Sequence, residues 1–364
     1  MIKFILIGIF FISISFPGFN QEPVKTYYQN SDNKLKELYY GFVNKQDTIK
    51  HGHYIFFDKN GNKKQEGEFV RNLIEGEWKI YYDNGQIKSL INFKKNKRNG
   101  KFVHFYKTGE KKQEGNYKNG FAEGEVITYY KNGNPKIKGY YTDGILNGKV
   151  ENFREDGTLK DVQNYKLNKP EGFWKSFYKT GELNYKGEKI NGHFEDSLFV
   201  YYKNGNSERK CFYKNGLLNG KLTAYYENGK LMAEYNYLNG NLNGEYKSYH
   251  NTGNIAEEGE YKNNLREGHW KSHYPDGKLF SEGNYKNGIY DGEWFVYYPN
   301  GKLKQKSIFS EGKKEADEII YYKTGKIKQT TKYKNGKKNG KTVLYDQTGK
   351  IINTVKYKNN QIIK

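Results

Sequence analysis

Few residues of this 364-residue chain have the types and spacing for chemistry. His51 and His53 stand at the i, i+2 spacing that puts two imidazoles on one face of a strand, but no cysteine or nearby acidic cluster completes a ligand set. His269 and His273 could share a strand face, again without a third ligand. Cys211 is the single cysteine, so no intrachain disulfide forms, and a small buried side chain is its expected role. Glu75 and Glu77, like Glu123 and Glu125, flank glycines and are scattered rather than convergent. The chain has no Gly-x-Ser-x-Gly, no phosphate-cradling loop opening a helix and no Cys-x-x-Cys. The expectation is a protein that is not an enzyme and takes no cofactor and no metal.

Tyrosine and lysine are what the chain has in quantity. There are 36 Tyr and 22 Phe, and the net charge is +21. Rings stack on bases and lysines meet phosphates, but the leader described below and the shortage of arginine argue against nucleic acid. A field of this sign favours an anionic partner: a glycan, an acidic lipid surface or an acidic protein. Disordered chains are poor in aromatics, so low hydrophobicity does not mean disorder here.

The elements that must position these rings and charges are set by a repeat. Gly85 recurs every 24 residues from Gly61 to Gly349, thirteen times, each time preceded by Asn, Asp or Thr. A second slot, at Asn72, Asn96, Gly120 and onward to Asn360, holds only Gly or Asn. Both tolerate positive φ. Between these reversals lie short segments rich in Tyr, Phe, Trp, Val and Ile, too short for helices. The predicted fold is all-β: an elongated array of 24-residue antiparallel β-hairpins forming one long twisted sheet of roughly 26 strands, on the order of 120 Å long. Residues 21–51 read as an irregular lead-in or cap, and 52–364 as thirteen tandem repeats.

With Asn84-Gly85 as the two central turn residues, Tyr82 is expected to face Ile87. The same rule sets Trp174 against Gly187, Trp270 against Gly283, Phe102 against Gly115, Tyr54 against Gly67 and Gly76 against Phe93. Large rings then cover glycines on one face. The other face carries a ring ladder that includes Tyr81, Phe105, Tyr129, Tyr297 and Tyr321. In this register Lys88, Lys112, Lys136, Lys304 and Lys328 lie opposite those rings, and these ten residues make the candidate interaction face. Lys64 and Lys160 fall in the same slot, while Asn184, Glu208, Met232, Ala256 and Phe280 replace the lysine in the middle repeats. The alternative is that the rings only brace the sheet.

Residues 1–20 read as a signal peptide: Lys3, then an apolar run from Phe4 to Phe16, then Pro17-Gly18. The run is short of the ~20 residues of a spanning helix, and no later segment is long and apolar enough. The expected location is therefore periplasmic, outer-surface or secreted if the leader is cleaved, and membrane-anchored by the N-terminus if it is not.

The pattern Gly-x-Trp-x-x-Tyr-Tyr-x-Asn-Gly, followed by Tyr-x-Asn-Gly-x-x-x-Gly, resembles the MORN repeat over residues 52–360. It is closest to the bacterial variant, as in Gly76 to Gly85 and Gly292 to Gly301. The resemblance implies hairpins stacked side by side with a groove, used as a scaffold or as a surface for lipid or protein contact. Chains of this kind also resemble the YwqK-type antitoxins of toxin–antitoxin systems. Two functions are thus expected. The first is a non-enzymatic exported scaffold binding a protein or an anionic envelope polymer or lipid surface. The alternative is an antitoxin or immunity-type protein binding a cognate toxin. The edge of the final strand is expected to be open for pairing with a partner or a second copy.

Overall fold

The computed structural model describes residues 21–29, 33–43 and 48–363, so the predicted leader lies outside the described residues. The described residues form 31 β-strands and no helix. The excess over the expected 26 comes from strands within the lead-in, a short last strand Gln361–Ile363, and two strands broken at Asn219 and Asn243. Contacts divide the chain into two units, one ending at Thr158 with residues 166–168 added, the other made of 159–165 and 169–364. Within each unit successive strands pair antiparallel, as Leu73–Tyr81 does with Ile87–Lys94.

One reversal of each hairpin follows from the Gly/Asn slot. Lys94 pairs with Lys97 across Lys95 and Asn96, whose φ values are +50° and +67°. Both central residues are left-handed, which makes a two-residue type I′ turn whose twist matches the strands. The slot's Asn does more than tolerate this φ. The Asn96 Oδ1 accepts from the Ile74 N–H at 2.6 Å, and Asn72 and Asn264 do the same for Lys50 and Leu242 at 2.7 Å. Glu75 and Glu123 accept from the turn N–H groups of Lys95 and Asp143, at 2.8 and 3.0 Å. The carboxylates scattered in sequence thus cap turns 20 residues downstream.

The other reversal corrects the expected turn. The Gly85 N–H donates to the Tyr82 carbonyl at 3.0 Å, and the Tyr82 N–H donates to the Gln86 carbonyl at 2.8 Å. The loop therefore has three residues, Asp83, Asn84 and Gly85. Asp83 and Asn84 are central, and Gly85, at φ +82°, is the bulge residue. Ile87 consequently pairs with Tyr81, not Tyr82, and Leu303 pairs with Tyr297. The extra residue is absorbed at once, and beyond it the expected register holds. Trp174 pairs with Gly187, Trp270 with Gly283, Phe102 with Gly115, Tyr54 with Gly67 and Gly76 with Phe93.

The first glycine of each repeat is conformational, not a socket. Gly76 has φ +70° with open space where a Cβ would stand, and Asp196 and Ala316 take the same left-handed backbone in its place. The sockets are the other glycines, and at Gly67, Gly259 and Gly283 the ring that fills them comes from the following hairpin, while at Gly187 the nearest side chain is Leu198 and not the expected Trp174. A Cβ on Gly67 would stand inside the Trp78 indole, and one on Gly259 or Gly283 inside Trp270 or Trp294. At Gly115 the Phe102 ring and Val126 share the space.

Alternation of side chains gives each unit one apolar face. In the first unit Tyr39, Tyr54 and Trp78 form one cluster, and Ile91, Phe102 and Val126 another. In the second, Leu198, Val200 and Cys211 pack together, with Cys211 2% exposed, as expected of a buried thiol. Further on, the face turns polar. Glu318 stands in the Trp slot, is buried, and pairs with Lys314 while accepting from Ser307 at 3.3 Å and Gln305 at 3.0 Å.

Candidate interaction faces

The paired tyrosines at the end of each outgoing strand do two different jobs. The second, expected from the sequence to face an aliphatic residue across its own turn, instead ties hairpin to hairpin. The Tyr82 hydroxyl donates to the Phe105 carbonyl at 2.7 Å, 23 residues downstream. Tyr106, Tyr202 and Tyr298 repeat this on Tyr129, Tyr225 and Tyr321 at 2.8–2.9 Å, and His250 Nε2 takes the role on the His273 carbonyl at 2.9 Å. Asp58 and Asp346 occupy the same slot and accept N–H groups of their own turns instead. Backbone acceptors leave no mark in a sequence. The recurring hydroxyl at one fixed position is the signal that could have revealed them.

The first ring stands on the opposite face and is largely tied down. The Tyr297 hydroxyl donates to Glu282 at 2.7 Å, and Tyr249 to Glu234 at 3.3 Å. Tyr81 and Tyr129 bond Glu66 and Glu114 in the same way. Burial, and then the neighbouring carboxylate, push the Tyr297 phenol up to about 12 and raise those of Tyr81 and Tyr129. Lys63 lies 4.5 Å from the Tyr81 ring and bridges to Glu66 at 2.8 Å. For Tyr81, Tyr129 and Tyr297 this geometry is that of a brace. Phe105, with no hydroxyl, holds the slot by its ring alone.

The three-residue loop moves the candidate lysines. Lys88 lies over the Tyr82 ring, not Tyr81, with its ammonium 5.9 Å from the centroid. Lys112 lies over Tyr106 at 6.0 Å, Lys136 over Tyr130 at 5.5 Å, Lys304 over Tyr298 at 5.8 Å and Lys328 over Tyr322 at 5.7 Å. The expected pairing with Tyr81, Phe105, Tyr129, Tyr297 and Tyr321 is thus displaced by one ring. Two other repeats show the same neighbourhood: Phe280 packs edge-on against Tyr274 at 5.1 Å, and Lys64 pairs at 3.1 Å with Asp58, which stands where the second ring would be. Among the described residues these five lysines have no carboxylate partner, so their charge faces outward.

The histidines do not assemble a metal site. His51 packs on Phe42 at 4.9 Å while His53 meets Glu68 at 3.2 Å, and His269 meets Glu282 at 3.3 Å. Among the described residues no group of three or more His, Cys, Asp or Glu is placed to hold an ion. No helix of the described residues is long and apolar enough to cross a membrane.

No curated protein matches the chain. Two of the solved structures to which it is similar are crystal structures of TcdB2-TccC3 complexes. One is the crystal structure of TcdB2-TccC3 without the hypervariable C-terminal region, at 10% identity and a TM-score of 0.17, covering 92% of this chain and 22% of that one. The other is the crystal structure of TcdB2-TccC3-Cdc42, at 10% identity and a TM-score of 0.14, covering 89% of this chain and 24% of that one. The chain thus spans less than a quarter of either. Residues 50–71, 74–95, 98–119, 122–143, 198–215, 218–239, 242–263, 266–287, 290–311 and 314–335 match the MORN repeat variant. These ten segments make up more than half of the chain and coincide with its hairpins, so the chain belongs to the MORN repeat variant family.

Proposed function

We propose that this chain is a non-enzymatic, exported repeat scaffold that binds an anionic macromolecular partner, a protein or an envelope polymer, through ring-supported lysines along its hairpin ends. The observation that carries this is the unpaired lysine over the second ring, repeated at Lys88, Lys112 and Lys136 in one unit and at Lys304 and Lys328 in the other. Within a unit, neighbouring hairpins are two strand spacings apart, so these charges recur about every 10 Å. That spacing is close to a Debye length at physiological salt, so an extended polyanion meets them one after another.

The test is retention of the full chain on dextran sulfate and on polyglutamate across a salt gradient. Retention should fall steeply with salt, and a Lys88→Gln, Lys112→Gln, Lys136→Gln variant should elute earlier. Retention insensitive to salt, or unchanged in the triple variant, sinks the reading. Fractionation of cells carrying the tagged chain tests export, and recovery only in the cytosol would remove that part of it.

A further inference from the structure

One slot of the apolar face breaks the pattern of the array. It holds Phe or Tyr in every hairpin from Phe69 to Tyr357 except one, where it holds Lys189. Lys189 pairs with Gly172 on one side and Phe194 on the other. Its ammonium lies 3.6 Å from the Trp174 ring centroid and 4.9 Å from that of Phe194. The two rings are stacked, 5.6 Å apart and 9° from parallel. This hairpin falls in the stretch 144–197, between the segments that match the family.

Three other cations on this face have carboxylates, while Arg98 and Lys338 lie at its edge over Tyr117 and Tyr357. Lys50 bonds Glu37 at 3.1 Å, Arg266 bonds Glu257 at 2.8 Å, and Lys314 pairs with Glu318. Among the described residues Lys189 has only rings, and burial without a compensating charge pulls its ammonium below the usual lysine range. A second donor beside it is also unmet. The indole N–H of Trp78, Trp270 and Trp294 each reaches the carbonyl ten residues back, of Glu68, Glu260 and Asn284, at 3.1–3.3 Å. Among the described residues the buried Trp174 N–H has no acceptor. Two unmet donors on one aromatic platform ask for an acceptor with negative charge.

We propose that Lys189 and Trp174 form a carboxylate-recognition site, which takes an Asp or Glu side chain of a protein partner against the Trp174–Phe194 stack. A single cation flanked by rings suits a monovalent carboxylate carried on an apolar segment. A phosphate headgroup calls for several cations, and among the described residues none besides Lys189 lies over the Trp174 ring. The inference goes beyond the polyanion reading, and its residues are separate from the lysines tested there.

The test uses the full chain labelled with 15N and follows the Trp174 indole cross-peak, assigned by Trp174→Phe. The probes are the blocked peptide Leu-Glu-Leu, its Leu-Gln-Leu counterpart, sodium phosphate and vesicles of phosphatidylcholine with phosphatidylglycerol. The Glu peptide should move the peak with a Kd at least about tenfold below that of the Gln peptide, as a charge-assisted hydrogen bond implies. Lys189→Tyr, which restores the aromatic residue of the other hairpins, should abolish the response and leave the melting temperature equal or higher. Equal response to the two peptides, a response retained in Lys189→Tyr, or a lower melting temperature in that variant overturns the proposal. Phosphate or vesicles moving the peak at lower concentration than the Glu peptide overturns it as well.

Discussion

Gly253 and Gly259 lie six residues apart in one hairpin and should fail for different reasons. Gly253 is the bulge residue of a three-residue loop, with φ +97° and nothing within 4 Å of a Cβ. Alanine there meets only the left-handed penalty, about 1–2 kcal/mol, and asparagine, which visits that region readily, recovers most of it. Gly259 has no such φ, but its Cβ would stand inside the Trp270 indole. Trp270 is 1% exposed, packs on Tyr246 at 5.6 Å, Tyr261 at 5.1 Å and Tyr285 at 5.9 Å, and carries the Arg266 guanidinium 4.1 Å above it. Any side chain at 259 must expel that ring, so Gly259→Ala approaches the cost of deleting a core Trp, about 3–5 kcal/mol. Asparagine at 259 is no better than alanine. Urea unfolding, with peptide-level hydrogen exchange to localise the loss, reads both. Gly259→Ala should lose protection around residues 244–285 and keep it at 50–143, since each hairpin leans on its neighbours. If Gly259→Asn were milder than Gly259→Ala, or if both glycines tolerated alanine equally, the division into ring sockets and φ positions would be wrong.

Tyr106→Phe should keep the fold and lose about 1 kcal/mol with the hydroxyl that reaches Tyr129, as read by urea midpoint. Tyr297 should titrate near 12 in a spectrophotometric titration, above the ordinary phenol range. Because its folded pKa is raised, its contribution to stability is full below about pH 10 and is lost as pH rises towards 12, and Tyr297→Phe should flatten that part of the profile. Glu267 accepts from the Asn287 N–H of a type I′ turn at 2.8 Å, so Glu267→Ala should speed exchange at Asn287 with an exposed-site penalty of about 0.5–1 kcal/mol.

What was legible in the sequence was set by backbone permission and by period. The Asn96 and Gly120 slots announce left-handed turns because other residues resist that region. The two-residue side-chain period then fixes which rings share a face. Asn84-Gly85 misled because two- and three-residue hairpin loops use the same residues. They differ only in whether Gly85 is central or follows a type I turn, and that is decided by hydrogen bonds from Tyr82 and Gly85. A one-residue difference in the loop then carries Lys88 from one ring to the next. The socket rings of Gly67 and Gly283, unlike that of Gly115, were assigned to the wrong neighbour for another reason. Gly67 has a strand on each side, and pairing with Tyr54 says nothing of which ring, Tyr54 or Trp78, leans over it. Lys189 reads in sequence as one more lysine, and only its position among rings gives it a role.

The ties from second tyrosine to carbonyl all run one way along the chain: Tyr82 reaches forward to Phe105, and Tyr298 to Tyr321. During synthesis, therefore, a hairpin can close its own ladder as it leaves the ribosome. Its tyrosine finds an acceptor only when the next 24 residues have emerged. The nascent protein carries an unlatched hairpin at its growing end, and wherever that slot holds a tyrosine or His250 the new repeat locks the one made before it.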